Sequence, residues 1–324
     1  MKIELLVIDA DTNEMHDVSE LAKEVNWTTS LDGSAGQLSF SLATSEFNFP
    51  AGSDVAFRIP NVQNIFRGKV FTTSYDKEKE LQVVAYDQTW YLRNKYTYVF
   101  KNKKAHEIFE TICKDYGFNY KIANAARIED YICVPFPYDF KALSEIIQKT
   151  LDDVFIFTKK YLFVRDVFGV LTLDNIENYK RPYLLNKDLL TENFSYSRSI
   201  DSDVYNEVAL ERVDKTTNKK LVISKSDAPN KKKWGTLRLY EQAEDNATEA
   251  ELRTRVASLM AVKNKPKEKL SFSCEGKLDI FAGCGVQVDL SEIIPNYGVR
   301  YCIIQTAQHT WTNNEHKMQL EVIL

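Results

Sequence analysis

Apolar residues recur at period two through the first hundred positions of the chain. Ile3 to Ile8, Trp27 to Leu31, Leu38-Ser39-Phe40-Ser41-Leu42, Val55-Ala56-Phe57-Arg58-Ile59, Ile65 to Thr73 and Leu81 to Tyr86 are short runs of this kind. Alternation sends successive side chains to opposite faces, so each run predicts a strand with one buried face. Turn residues separate the runs, and Asp32-Gly33 and Gly36 offer the positive φ values that a tight reversal needs. Strands at this spacing predict a small antiparallel barrel over residues 1–100.

The period changes after Tyr96–Phe100. Ala105, Ile108, Phe109, Ile112 and Cys113 fall at i, i+3, i+4, i+7 and i+8, which predicts a helix over 104–116 stopped by Gly117. Asp139 can cap a second helix, whose inner face carries Leu143, Ile146, Ile147 and Thr150. Val154–Thr158 and Tyr161–Arg165 read as a hairpin around Lys159-Lys160. Residues 101–165 are thus an expected insertion of two helices and a hairpin. Residues 166–200, broken at Arg181-Pro182, read as a return connection that adds a strand to the first barrel.

Strand patterns resume at 194–197, 204–210 and 220–224, and a polar crossing over 226–233 ends at Trp234-Gly235. Thr248 and Glu251 have the spacing of a capping box for a helix over 248–262. Its buried face is Leu252, Val256, Leu259 and Met260, and Pro266 bars its continuation. Runs at 269–274, 286–290, 299–305 and 318–324 predict four further strands, so that 201–324 reads as a second barrel. The expected fold class is α+β, mainly β: two tube-like antiparallel β-barrel domains with a small helix–helix–hairpin insertion.

Charge narrows the function further. A net charge of -4 over 324 residues and a pI near 5.8 argue against general nucleic-acid binding, so that no sequence-specific nucleic acid is expected as a partner, and against a polybasic membrane surface. Lys101-Asn102-Lys103-Lys104 and Lys231-Lys232-Lys233 are short runs of the sort that mark solvated turns. Five cysteines, an odd number with no CxxC among them, fit reduced thiols in a protein made in a cytoplasm. No run approaches the roughly 20 apolar residues of a membrane span, so no direct membrane insertion is expected.

Candidate chemistry is sparse. His16 lies in a polar loop and His106 on the polar side of its helix, while His309 and His316 flank the turn Thr312–Glu315 and would approach each other in register. A zinc site needs three or four convergent ligands, and no further set has that spacing, so neither a metal nor a cofactor is predicted. GxSxG, GxGxxG, Walker A and HExxH patterns are absent. Asp152-Asp153 and Asp201/Asp203 are carboxylate pairs, but no catalytic residue is assigned to them. The 18 Phe, 17 Tyr and 4 Trp suit carbohydrate stacking, and equally the cores and subunit interfaces of strand-rich proteins.

Three stretches together resemble one family. Val84-Ala85-Tyr86-Asp87 is followed by Tyr91-Leu92 and an Asn-Lys segment. Phe194–Ile200 is followed by Asn206-Glu207-Val208 and by Trp234-Gly235-Thr236-Leu237. The C-terminal series is Glu275-Gly276, Ile280, Gly283, Val286, Val288, Gly298, Tyr301, Ile303, His309, His316, Met318 and Leu320. This order resembles the baseplate or tail hub proteins of contractile phage tails, defective prophages and phage-tail-like bacteriocins. Those proteins are relatives of late control protein D and of the N-terminal part of type VI secretion spike proteins.

The resemblance implies a homotrimer that forms a pseudo-hexameric ring between the sixfold tail tube and the threefold central spike. Its implied partners are the tube protein, the spike protein and baseplate wedge or tape-measure proteins, within a phage virion tail or a phage-tail-like particle. It implies no enzymatic activity. Asp87, Leu92, Asn206, Gly235, Gly276, Gly283, Gly298 and His309 would be its structural signature. The other reading, from the aromatics and carboxylates, is a carbohydrate-active or peptidoglycan-degrading tail component.

Overall fold

A computed structural model describes the chain apart from residues 1, 45, 78–79, 134–136, 186–189, 214–218, 244–246, 290, 292–297 and 313–314. The expected turn residues Asn313 and Asn314 and the strand end Leu290 lie outside the described residues. The first strands are β1 (Glu4–Ile8), β2 (Met15–Asp17), β3 (Ala22–Ser30), β4 (Gln37–Leu42), β5 (Asp54–Ile59), β6 (Gln63–Tyr75) and β7 (Leu81–Tyr86). They pair antiparallel in the order β3-β4-β7-β6-β5-β1-β2. Their alternation is that of the sequence: Leu38, Phe40 and Leu42 of β4 and Val55, Phe57 and Ile59 of β5 point into one core. His16 lies in the short strand β2, not in a polar loop, because its ring packs against Phe47 and Phe49.

The insertion comprises β8 (Lys95–Val99), α1 (Ala105–Asp115), β9 (Tyr120–Ile122), β10 (Pro137–Ala142), α2 (Leu143–Thr158), β11 (Leu162–Asp166) and β12 (Leu171–Asn175). The five apolar positions that predict α1 are all buried. Three expectations are corrected here. Val154–Thr158 is the end of α2 and not a strand, because Val154 continues the buried face of Leu143, Ile146, Ile147 and Leu151. The hairpin is therefore β11 with β12. Asp139 lies in β10, and α2 starts after Ala142. His106 is buried, so the polar face of α1 is narrower than its pattern implied.

The chain then forms β13 (Lys180–Leu185), β14 (Leu190–Ser199), β15 (Glu207–Val213), β16 (Lys220–Ser226), α3 (Ala228–Trp234), β17 (Arg238–Gln242) and α4 (Glu249–Lys263). It ends with β18 (Lys267–Glu275), β19 (Gly285–Asp289), β20 (Val299–Thr312) and β21 (Glu315–Ile323). The polar crossing over 226–233 contains the short helix α3, capped by Asp227, whose carboxylate accepts from Asn230 N at 2.8 Å. The capping box of Thr248 and Glu251 opens α4. β15–β17 form their own sheet, β16-β15-β17, and bury Val208, Leu210 and Ile223 against Leu252, Val256, Leu259 and Met260 of α4. The strands of 201–324 are thus split between this sheet and a larger one. Periodicity marks a strand but not the sheet it joins.

That larger sheet unites the two ends of the chain. Its strand order is β14-β18-β21-β20-β3-β4-β7-β6-β5-β1-β2, with β19 and then β13 branching from β20. β13 and β14 pair with β19 and β18, so the connection expected to complete the first barrel serves the C-terminal strands instead. The join is β20 against β3, from Thr306↔Ser30 to Thr312↔Glu24. One continuous core results, in which Leu38, Phe40 and Phe57 share a cluster with Ile304, Ala307, Leu320 and Val322.

β6 crosses β7 closely enough that a Cβ at Gly68 would overlap the Tyr86 carbonyl and the Phe66 ring. Neither obstacle is the free end of a flexible chain, so Gly68→Ala is expected to destabilise by about 1–3 kcal/mol, the usual penalty of overpacking. Urea unfolding checks this, and an unchanged midpoint would contradict the close crossing.

Candidate functional site

The expected signature residues gather at seams between segments of the fold, and three of these seams are held by buried polar groups. Asp87 follows β7 directly. Its N–H donates to the Gly36 carbonyl at 3.0 Å, and its carboxylate accepts from the Thr89 N–H at 2.9 Å and from the Thr89 hydroxyl. Gly36 has no side chain because the Asp87 carboxyl occupies the place where a Cβ would stand.

The next residue, Gln88, reaches into the insertion. It donates to the Gly169 carbonyl and to Asp166 at 3.3 Å, and accepts from the Asn119 N–H at 3.2 Å. Leu92, one turn further on, is buried in the insertion core. The segment from Asp87 to Leu92 therefore anchors the insertion to the large sheet. Burial and the neighbouring Asp166 push the Asp87 carboxyl up to about 8.

Asn206 is fully buried and uses both ends of its amide. Its nitrogen donates to the Gly235 carbonyl at 2.7 Å, and its oxygen accepts from the Leu237 N–H at 2.9 Å. Gly235 follows α3 at φ 76°, a conformation that side chains disfavour. The pair fixes the entry to β15 beside the entry to β17.

His309 is the third. It is fully buried on β20, and its Nε2 lies 3.0 Å from the Ile280 carbonyl, an acceptor only. Nε2 therefore carries the proton, and Nδ1 accepts from His316 Nε2 at 2.9 Å. Trp27 of β3 packs on His309 with ring centroids 5.1 Å apart, and Trp311 stacks on His316 at 4.4 Å. Gly276 leaves the space that the His316 ring fills and donates its N–H to the His316 carbonyl at 2.8 Å. Burial holds His309 down to about 3 and His316 to about 4, so the pair is neutral at ordinary pH.

The other signature positions are more local. Gly283, at φ 100°, lies under the ring of Phe163 from β11. Gly298, at φ 62°, faces open space. Trp27 and Trp311 escaped the sequence reading, although positions 309 and 311 share a strand face at period two.

Among the described residues, no group of three or more His, Cys, Asp or Glu is placed to hold a metal ion. Three of the four carboxylates singled out in the sequence have structural partners, and Asp152 accepts from the Gln148 amide at 2.8 Å. Asp153 accepts from the Tyr131 hydroxyl at 2.7 Å, and Asp203 pairs with Lys263 and with Lys267 at 3.0 Å. All five cysteines are buried, and burial raises their thiols, which suits small apolar residues rather than nucleophiles.

These titrations make opposite predictions. The unfolded chain binds protons at both histidines below about pH 6.5, whereas the folded protein does so only near pH 3–4, so stability falls as pH drops from 6.5 towards 4. Asp87 is the reverse: the folded state keeps a proton that the unfolded chain releases above 3.8, so this group costs stability as pH rises from 4 to 8. A group that titrates in full contributes a slope of up to about 1.4 kcal/mol per pH unit, and the half-buried His316 contributes less. Urea midpoints across pH 4–8 are expected to show a shallower acid-side loss for His316→Gln and a smaller alkaline-side loss for Asp87→Asn. Profiles unchanged in both variants would contradict the buried protonation states.

Comparison with known proteins identifies the family and the fold. A protein-family model described as YQBQ-like matches residues 25–323. The uncharacterized protein YqbQ of Bacillus subtilis (strain 168) is 27% identical over 283 residues, spanning 86% of this chain and 83% of the relative. The phage-like element PBSX protein XkdQ of the same organism is 26% identical over 281 residues, with the same shares of each chain. Among solved structures, the 43 kDa tail protein of prophage MuSo2 from Shewanella oneidensis has the same fold, with a TM-score of 0.67 at 14% identity over 98% of both chains. The chain belongs to the YqbQ-like family and has the fold of phage tail proteins.

Proposed function

We propose that this protein is the structural hub of a contractile tail baseplate, a homotrimer whose ring joins a sixfold tail tube to a threefold central spike. The observation that carries the reading is the continuous large sheet. Its N-terminal strands β1–β7 and its C-terminal strands β13, β14 and β18–β21 are two strand sets of similar size sharing one core. Three copies would present six such sets, which is the match a ring needs between sixfold and threefold neighbours. Among the described residues the strand order begins at β14 and ends at β2, each paired on one side. Phe194 and Met15 on these edge strands are exposed. Unpaired sheet edges need covering, and a closed head-to-tail ring covers one edge with the next copy.

The fold shared with a prophage tail protein and the kinship with a protein of a phage-like element support the same reading. No described helix is long and apolar enough to cross a membrane. The tube protein, the spike protein and wedge or tape-measure proteins are the proposed partners, in a phage virion tail or a headless bacteriocin particle. Asp153 and Asp203 line a cavity of 560 Å³, where a peptidoglycan-degrading role would need them unpaired, whereas Asp153 accepts from the Tyr131 hydroxyl and Asp203 pairs with Lys263. The acidic balance suits a channel through which DNA slides without adhering.

Electron microscopy of the assembled particle tests the proposal. Three copies are expected at the junction of tube and spike, and density for the chain elsewhere would overturn it. Asp87→Ala and Ile108→Asp, which strike the anchor and the core of the insertion, are expected to abolish incorporation into particles. Normal incorporation of both would remove the anchor from the account.

A further inference from the structure

A groove of 440 Å³ runs between the ends of β6 and β7 and the insertion, on the outer side of the Asp87 anchor. Its size falls in the range of small-molecule sites, roughly 300–1,000 Å³. Aromatic rings come from both sides. Tyr86 and Tyr91 stand on the sheet side, with Tyr86 backed by Trp90 at 4.0 Å. Tyr116 and Phe118 stand on the insertion side, stacked on each other at 5.8 Å and 14°. All four rings are half-buried, so they are held in place yet reach the groove.

Between the rings lie planar polar groups. Asn94 and Asn119 are exposed, and among the described residues their side-chain amides make no hydrogen bond. Arg67 is exposed beside them, and the ion pair Asp54–Lys69, at 3.1 Å, forms the rim.

We infer that this groove binds an oligosaccharide. The ligand class follows from the pairing of the two kinds of surface. A pyranose ring has faces of C–H groups that rest on the electron-rich face of an aromatic ring, and an edge of hydroxyls that both donate and accept. An amide offers a donor and an acceptor side by side, and a guanidinium offers two parallel donors, so each can span neighbouring hydroxyls. An apolar ligand would leave Asn94, Asn119 and Arg67 unpaired. The groove binds without cleaving: Asp54 is paired with Lys69, and Asp87 is turned away onto Thr89. This inference does not rest on the hub reading, and either can fail alone.

The test is calorimetric titration of the full chain with chitotriose, maltotriose and cellotriose, and with a proline-rich peptide as the rival occupant of an aromatic groove. At least one saccharide is expected to bind, with Tyr91→Ala and Asn119→Ala each weakening it about tenfold or more. Tyr91→Phe, which keeps the ring, and Tyr240→Ala, on the separate sheet of β15–β17, are expected to leave it within twofold. Thermal melts establish that each variant is folded. The inference is overturned if no saccharide binds, if binding ignores both alanine variants, or if the peptide alone binds in a Tyr91-dependent way.

Discussion

The pairing of β3 with β20 is the constraint on which the rest of the structure depends. Residues near position 30 meet residues near position 306, so the first barrel-like strands cannot complete their sheet until the end of the chain arrives. The side chains on this join are large, flat and closely fitted: Trp27 from β3, His309 and Trp311 from β20, and His316 from β21. Phe57, a residue of β5, meets Trp311 edge-to-face at 4.8 Å, which carries the contact into the N-terminal core. Two imidazoles in this place are stable only as neutral rings that satisfy each other, with one carbonyl fixing the proton arrangement.

The same design recurs at the other seams. The insertion is held to the large sheet by Asp87 and Gln88, and the strand entries of the β15–β17 sheet are held by Asn206. At each place a polar side chain answers backbone groups that no strand ladder reaches, as buried backbone polarity requires. Small residues stand opposite: Gly36 under Asp87, Gly235 beside Asn206 and Gly276 under His316. Geometry of this kind specifies how segments dock, which suits a protein whose proposed task is to hold a fixed position between neighbours.

Much of this was legible in the sequence, and the reasons for the rest are physical. Period two located most strands of the large sheet because one face of each is buried in a shared core. Period 3.6 located α1 because it is amphipathic and is followed by Gly117, whereas α4 was located chiefly by the capping box of Thr248 and Glu251. Val154-Phe155-Ile156-Phe157 misled because β-branched and aromatic residues favour strands locally, while contact with the insertion core extends α2. Strand partners were not legible, since alternation is the same whichever sheet a strand joins. The approach of His309 to His316 was readable from their register across the hairpin. Their enclosure by Trp27 and Trp311 was not, because it depends on a pairing between distant parts of the chain.

Native-state hydrogen exchange tests the central claim, that the two ends of the chain form one cooperative sheet and core. Amides in the middle of β3, at Trp27 and Thr28, and in the facing part of β20, at Gln308 and His309, are expected to exchange only through the same global opening as Val83 of β7 and Leu320 of β21. Exchange of the C-terminal strands at a separate, lower free energy, with β3 remaining protected, would contradict it.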